Sequence, residues 1–161
     1  MEKVIYPNSF YSFMKTDLVI AGLLIHENKV LLVHHKKLGL WLPPGGHIEK
    51  NETPDAALRR EMKEELGISV EILNKPDFPM QGNIKEHLAV PFYSNVHSVG
   101  DHDHSCFYYI CKPMMPDTIN LNKEELNQIA WFTAEELSKP FIPADVRNIA
   151  LLAFERFRNL E

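Results

Sequence analysis

The amino-acid sequence predicts an α/β fold in which helices cover a mixed β-sheet. Its 161 residues are about the length of one domain, and its 45% apolar and 24% charged residues exclude disordered, collagen-like and coiled-coil chains. Segments with strand patterns interleave with two helical segments. Most neighbouring strand segments are joined by connections too short for a crossover helix, so we expect antiparallel pairs beside parallel ones.

A hairpin opens the predicted sheet. Residues 17–26 are rich in Val, Ile and Leu and predict a buried strand, and residues 30–34 predict its partner after a short turn. Residues 38–42 predict a short strand that two prolines end. The remaining strands are predicted at residues 69–73, 87–97, 105–111 and 128–132.

Two helices are predicted. Residues 53–66 have the clearest signals, because Thr53 suits the N-cap, Pro54 the first helical position and Gly67 the C-terminal end. Residues 145–160 predict a second helix. Its apolar face consists of Val146, Ile149, Ala150, Ala153 and Phe154.

Composition limits the partners and the location. The 17 basic and 22 acidic residues give a net charge of −5, which argues against a surface that coats nucleic-acid polymers but allows a small phosphorylated ligand. Cys106 and Cys111 are too few for a disulfide framework, and the apolar stretch 18–25 is too short for a membrane span. We therefore expect a cytoplasmic monomer or homodimer without a membrane partner. We expect residues 1–16 to form a leader packed on a single domain of residues 17–161.

Three glutamates of the helix predicted at 53–66 converge on one side. Glu61, Glu64 and Glu65 are spaced i, i+3 and i+4, and they fall within an arc of roughly 100°. The adjacent apolar stripe consists of Leu58, Met62 and Leu66. Carboxylates this close repel one another, so at least one pKa rises unless a cation lies between them. Mg²⁺ prefers oxygen ligands and fits this set, while the alternative is a solvated face of Arg–Glu pairs.

The spacing around this helix distinguishes the two interpretations. The segment from Gly46 to Ile68 reads GHIEKNETPDAALRREMKEELGI and matches all nine specified positions of G-x5-E-x7-R-E-U-x-E-E-x-G-U, where U is apolar. It resembles the Nudix box of MutT-like hydrolases, and a looser resemblance extends over residues 17–160. The resemblance implies a Nudix-type α/β/α sandwich with a mixed sheet, in which the box forms a loop, a helix and a loop.

The resemblance also implies roles for residues of the box. Nudix hydrolases cleave a nucleoside diphosphate linked to another moiety, and they use Mg²⁺ or Mn²⁺. By position, the metal ligands would be Glu61, Glu64, Glu65 and, through its carbonyl, Gly46. Arg60 would pair with Glu52 and orient the glutamates.

The resemblance does not assign the general base, because family members differ in which residue takes the proton of the attacking water. We predict Glu61, which lies one turn before the Glu64–Glu65 pair. The alternative base lies outside the box. Glu125, six residues before Trp131, is the first candidate for that base or for an extra metal ligand, and a solvated turn is its other interpretation.

Candidates for substrate contact lie outside the box. The His- and Asp-rich segment 97–106 does not match the spacing of a zinc signature. A zinc site is therefore the least favoured interpretation, and the others are a substrate-recognition loop, a loop that closes over the metal site, and a polar surface loop. Within it, His102 and His104 are the candidate substrate ligands. Asp145 lies near the position where some MutT-like relatives place an Asn or Asp that reads a purine.

The predicted reaction is metal-dependent hydrolysis of a pyrophosphate bond. A nucleoside triphosphate, including an oxidised one, is the expected substrate, and the products are a nucleoside monophosphate and pyrophosphate. The sequence shows no extra N-terminal domain of the kind that many dimeric ADP-sugar hydrolases carry, so ADP-ribose or another nucleotide sugar is the alternative. A Nudix-fold sensor that binds nucleotide without turnover is a further class, which the intact glutamate set disfavours.

Overall fold

A mixed sheet with a helix on each face forms the body of the protein in the computed structural model, which describes residues 15–160. In chain order its elements are β1 (Thr16–His26), β2 (Lys29–His35), β3 (Leu40–Leu42), β4 (Gly45–His47), α1 (Pro54–Leu66), β5 (Val70–Ile72), β6 (Tyr93–Ser98), β7 (Asp103–Pro113), β8 (Leu126–Phe132) and α2 (Ala144–Arg158). The leader predicted for residues 1–16 lies outside the described residues, apart from Lys15 and Thr16. Within 15–160, no helix is long and apolar enough to cross a membrane.

The sheet is mixed, as predicted. The strand order is β3-β2-β1-β7-β5, and β4 pairs with β1, β6 with β7 and β8 with β2. β1 and β7 run parallel, and the other pairings among the described strands are antiparallel. The two longest strands therefore lie side by side at the centre, where both helices can cover them.

Alternate residues of β1 point into two separate cores. Ile20 and Leu24 pack with α1, whereas Val19 and Leu23 pack with α2. The predicted apolar stripe of α1 is completely buried, and four of the five predicted apolar residues of α2 are buried while Phe154 packs at their edge. This arrangement confirms the α/β/α sandwich and the apolar faces of both helices.

Both ends of α1 follow the local sequence signals. The Thr53 hydroxyl accepts a hydrogen bond from the Ala56 amide at 3.2 Å. Gly67 ends the helix in the left-handed region at φ +68°, which favours glycine, and its amide donates to the Lys63 carbonyl. The helix predicted at 53–66 is therefore confirmed.

Asp55 in the first turn of α1 does more than face the positive end of the helix dipole. Its side chain is completely buried, and it accepts hydrogen bonds from the Ala89 amide at 3.1 Å. The Lys75 ammonium lies 3.0 Å from the same carboxylate. Asp55 thus anchors the long connection between β5 and β6 to the helix that carries the glutamates.

The strand predicted at residues 87–97 is wrong over its first part, because β6 begins only at Tyr93. The Ala89 amide donates to Asp55 and the Val90 amide donates to the Asn74 carbonyl. Pro91 has no amide hydrogen to donate. Ala89 and Val90 therefore use their amides outside the sheet, and hydrogen bonding to β7 begins with the Phe92 amide, which donates to the Tyr108 carbonyl.

Two further differences affect the site. The connection between the strands predicted at 87–97 and 105–111 shrinks to residues 99–102, because β7 begins at Asp103 and includes His104. β4 was not predicted, since glycine-rich segments have low strand propensity. It pairs with β1 because its glycines allow a close approach: a Cβ on Gly45 would collide with the Ile20 carbonyl. The other predicted strands are confirmed with ends shifted by one or two residues.

Candidate active site

Arg60 ties the loop before α1 to the glutamates of α1. Its Nε and Nη2 donate to the two carboxylate oxygens of Glu52 at 2.9 and 3.0 Å, a two-pronged contact that suits the planar guanidinium. Nη2 also donates to the His47 carbonyl at 2.9 Å. Nη1 donates to Glu61 at 2.7 Å and to Glu64 at 3.2 Å. The guanidinium therefore orients both of these glutamates and holds the pKa of Glu52 below its usual range.

The backbone of β4 lies directly against the glutamates. The Gly45 amide donates to Glu65 Oε2 at 3.0 Å, and only 4% of Glu65 is exposed. A Cβ on Gly46 would collide with the Glu61 carboxylate. The first glycine of the box is therefore required by packing as well as by the pattern, and the Gly45 amide is a site contact to which sequence reasoning gave no role.

The carboxylates of α1 hold more negative charge than the protein neutralises. Burial raises the pKa of Glu65 to about 8, the charges of the neighbouring carboxylates add to this, and the Gly45 hydrogen bond opposes it. Burial also raises the pKa of Glu61, although Arg60 opposes this shift. A cluster in which Arg60 leaves two carboxylates with raised pKa values attracts a further cation.

Glu125 lies close enough to the cluster for its charge to raise the pKa of both Glu61 and Glu65. Its loop is fixed to the end of α1, since the Asn122 amide donates to the Glu65 carbonyl at 2.9 Å. The Lys36 amide donates to the Glu125 carbonyl at 2.9 Å and holds the loop from the other side. The structure therefore brings a residue far from the box in sequence to the box glutamates.

The donor set fits a divalent metal that prefers oxygen. Its members are the carboxylates of Glu61, Glu64, Glu65 and Glu125, with the backbone of Gly46 beside them. Oxygen ligands of this kind suit Mg²⁺ and Mn²⁺. The raised pKa values of Glu61 and Glu65 also favour a bound cation, because its positive charge would stabilise both carboxylates in their ionised form.

The three residues predicted to contact substrate lie on the α2 side of the sheet. Gly46 and His47 are neighbours in β4, so their side-chain positions face opposite sides, and Gly46 faces Glu61 on the α1 side. His102 and His104 gather with His47 on the other side. Asp145 lines a separate groove on that side, with Tyr93, Asn95, Asn148, Ile149 and Leu152. The predicted substrate contacts thus lie on the face of the sheet opposite to the Glu61 carboxylate, and His47 joins them next to Gly46 in β4.

The raised pKa of Glu65 predicts how the stability of the metal-free protein depends on pH. The folded state keeps a proton on Glu65 up to about pH 8, whereas the unfolded chain releases it near its ordinary pKa of 4.5. Unfolding therefore releases a proton between these values, and the free energy of unfolding falls as pH rises. At about 1.4 kcal/mol per pKa unit, we expect a loss on the order of 2–4 kcal/mol from pH 5 to pH 8.

Urea unfolding in EDTA at pH 5, 6.5 and 8 measures this slope. Glu65→Gln should flatten it, because Gln carries no proton that titrates and its oxygen still accepts from Gly45. Glu71→Gln, at an exposed position of β5, is the matched control and should keep the wild-type slope. Equal slopes in the wild type and Glu65→Gln would contradict the assignment.

Comparisons with known proteins agree with this geometry. Residues 16–152 match the model of the NUDIX domain. The chain is 26% identical over 134 residues to a MutT-like protein of Streptomyces ambofaciens, which covers 83% of this chain and 73% of that protein. It is 31% identical over 80 residues to an 8-oxo-dGTP diphosphatase of Proteus vulgaris, and this match covers 47% of this chain and 71% of that protein.

A solved structure shares the whole fold. The NUDIX-family hydrolase of Clostridium perfringens superposes with a TM-score of 0.74 at 28% identity, over 89% of this chain and 99% of that one. The match of the family model spans the box, the central strands and most of α2. The chain therefore belongs to the Nudix hydrolases.

Proposed function

We propose that this hydrolase cleaves nucleoside triphosphates, including oxidised ones, to a nucleoside monophosphate and pyrophosphate. One observation carries the proposal: α1 holds the buried Glu65 and the half-buried Glu61, both with raised pKa values, against the glycine backbone of β4. A divalent metal would supply the positive charge that such a cluster needs, and it would also attract the negatively charged polyphosphate. The site therefore suits cleavage of a phosphoric anhydride.

The carboxylates of Glu61, Glu64, Glu65 and Glu125 would hold Mg²⁺ or Mn²⁺. When bound, the metal would neutralise the polyphosphate and stabilise the leaving pyrophosphate. Arg60 keeps Glu61 and Glu64 turned toward one another by donating to both from Nη1. The protein thus contributes a prearranged set of oxygen ligands whose orientation a single guanidinium maintains.

We assign the general base to Glu61. Its carboxyl lies one turn before the Glu64–Glu65 pair, and Arg60 Nη1 holds it in place at 2.7 Å. In the proposed step, water oxygen bonds to phosphorus, the α–β anhydride bond breaks, and the proton of the water passes to a carboxylate oxygen of Glu61. The electron pair of the broken bond leaves on the pyrophosphate oxygen.

The groove on the α2 side suits the nucleoside. Tyr93 offers a ring, and Asn95 and Asp145 offer polar groups that can pair with the edge of a base. The Proteus vulgaris relative is an 8-oxo-dGTP diphosphatase, which supports an oxidised purine triphosphate as one substrate.

We further propose a cytoplasmic protein, monomeric or homodimeric, whose two buried cysteines stay reduced.

A substrate panel with Mg²⁺ tests the proposal. We expect pyrophosphate release from dGTP, 8-oxo-dGTP, CTP or ATP, with the preferred triphosphate at least about tenfold better in kcat/KM than ADP-ribose or a 5′-triphosphorylated RNA. EDTA should abolish turnover, and Mg²⁺ or Mn²⁺ should restore it, because the carboxylates alone repel the polyphosphate.

Three outcomes would contradict the proposal. Full turnover in metal-free buffer would remove the metal from the reaction. A preference for ADP-ribose, with release of AMP and ribose 5-phosphate, would replace the substrate class. Tight nucleotide binding without any product would identify a sensor.

A further inference from the structure

Three imidazoles converge on the α2 side of the sheet, away from the carboxylates of α1. They come from β4 (His47), the turn between β6 and β7 (His102) and the start of β7 (His104). One ring nitrogen of each lies within 4.8 Å of the other two. We propose that His47, His102 and His104, with the Asp17 carboxylate as fourth ligand, form a second metal site that binds Zn²⁺ or a similar nitrogen-preferring divalent ion.

The spacing of the donor atoms is close to what a tetrahedral ion requires. With Zn–N bonds of 2.0–2.1 Å, neighbouring ligand atoms lie about 3.3 Å apart. His102 Nε2 and His104 Nε2 are 3.1 Å apart. The His47 side chain is 58% exposed, so its ring can rotate by the small amount that the longest spacing still needs.

Asp17 completes the set. Its Oδ2 lies 3.5 Å from His102 Nε2 and 3.7 Å from His47 Nε2. The Lys15 ammonium also contacts this carboxylate at 3.0 Å, but its side chain is 77% exposed, so a metal can displace it at small cost. The four ligands then comprise three neutral rings and one negative charge, a set that suits Zn²⁺.

A second carboxylate orients one of the rings. His102 Nδ1 lies 2.7 Å from Asp101 Oδ1, which places a proton on Nδ1 and turns Nε2 toward the cluster. Metal-binding histidines characteristically donate their other ring nitrogen to a carboxylate in this way. The cluster therefore has the ligand atoms for a metal, and the contact with Asp101 orients one of them, His102 Nε2.

The sheet register places these residues together and keeps them apart from the carboxylates. His104 pairs with Asp17 across the parallel β1–β7 ladder, and His47 pairs with Val19, two residues further along β1. Side chains at these positions share one face of the sheet, and Val19 belongs to the α2 core. Imidazole suits Zn²⁺ whereas carboxylate suits Mg²⁺, so the two sites select different metals.

A metal at this site would link three strands at the point where β4 leads into the box. His47 follows Gly46 directly, and its carbonyl accepts from Arg60. Metal binding would therefore stabilise β4 and the start of the box, on which the carboxylate site rests. Above the Kd, the free energy of unfolding would rise with the logarithm of the metal concentration.

Cobalt titration of the metal-depleted protein tests the site, with Mg²⁺ in excess to occupy the carboxylates. Tetrahedral Co²⁺ absorbs strongly in the visible, whereas six-coordinate Co²⁺ with oxygen ligands absorbs weakly. We expect strong bands that saturate at about one equivalent and disappear when Zn²⁺ is added. His47→Gln and His104→Gln should each weaken binding at least about tenfold. His26→Gln, a 41% exposed histidine outside the cluster, is the matched control.

Two further measurements distinguish the histidine site from the carboxylate site and from non-specific metal binding. The double variant Glu64→Gln with Glu65→Gln should keep the cobalt bands, because the histidine site does not use these carboxylates. The histidine site would therefore stand even if the proposed hydrolysis were not found. Zn²⁺ should raise the unfolding temperature of the wild type and not that of His102→Gln, with folding of each variant checked by circular dichroism. Absent bands, bands unchanged by the histidine variants, or bands lost in the double glutamate variant would overturn the proposal. Metal-free binding of inorganic pyrophosphate that depends on His104 would replace it with a phosphate site.

Discussion

Glu61→Gln should lower kcat by roughly 10²- to 10⁴-fold while nucleotide binding persists, and added Mg²⁺ should not restore the rate. Gln keeps the shape of the side chain but cannot take the proton of the attacking water. The carboxyl is 14% exposed, and burial raises its pKa above the ordinary value while Arg60 opposes the shift. Glu64→Gln and Glu65→Gln should behave differently, because each removes one negative charge from the metal ligands, and part of the lost rate should return at high Mg²⁺.

The measurement is kcat against Mg²⁺ concentration for variants at the four carboxylates near α1. Glu71→Gln is the matched control and should retain wild-type kinetics, because its side chain is exposed on β5. If Glu61→Gln recovers with metal and Glu125→Gln does not, the base lies outside the box and the assignment to Glu61 is wrong. If all four variants recover alike, none of these carboxylates is an essential base.

Arg60→Lys should reduce kcat by about 10- to 100-fold with little change in KM. The guanidinium donates to both oxygens of Glu52 and to the His47 carbonyl. It also donates to the carboxylates of Glu61 and Glu64. An ammonium is a single point of charge, so it cannot keep these contacts at once. The glutamates would then lose their common orientation while the charge of the site stays the same.

A lower kcat with an almost unchanged KM would show that Arg60 positions the glutamates and does not bind substrate. Arg59→Lys is the matched control, because Arg59 is the preceding residue of α1, is 46% exposed and lies outside the carboxylate cluster. We expect Arg60→Lys to remain folded by circular dichroism and to need more Mg²⁺ for half-maximal rate. Unchanged kinetics in Arg60→Lys would show that Arg60 does not orient the glutamates.

Local signals determined α1 and its ends. Thr53 and Gly67 act on the few residues beside them, so the same hydrogen bonds form wherever this segment lies in the fold. Helical periodicity likewise placed three glutamates beside a buried apolar stripe. These features depend on residues within one or two turns of each other, which is the range over which sequence reasoning works well.

The ends of the β6 region depended on partners far along the chain. The apolar residues of 87–92 favour a strand, but the amides of Ala89 and Val90 donate to Asp55 and Asn74. Pro91 weakens the strand prediction locally, but nothing within the segment indicates that Asp55 and Asn74 compete for its amides. Similarly, β4 is a strand because β1 offers it a ladder, not because Gly45 and Gly46 favour extended structure.

The sequence by itself determined the family, the helix that carries the box and the glutamates that α1 presents, because a short pattern with fixed helical spacing contains all of these. Only the tertiary structure decided which distant residues join them. Glu125 reaches the glutamates through a loop bound to the end of α1, and His47 meets His102 and His104 through the register of three strands. Contacts of this kind follow from the pairing of whole elements, and no local pattern of residues specifies that pairing.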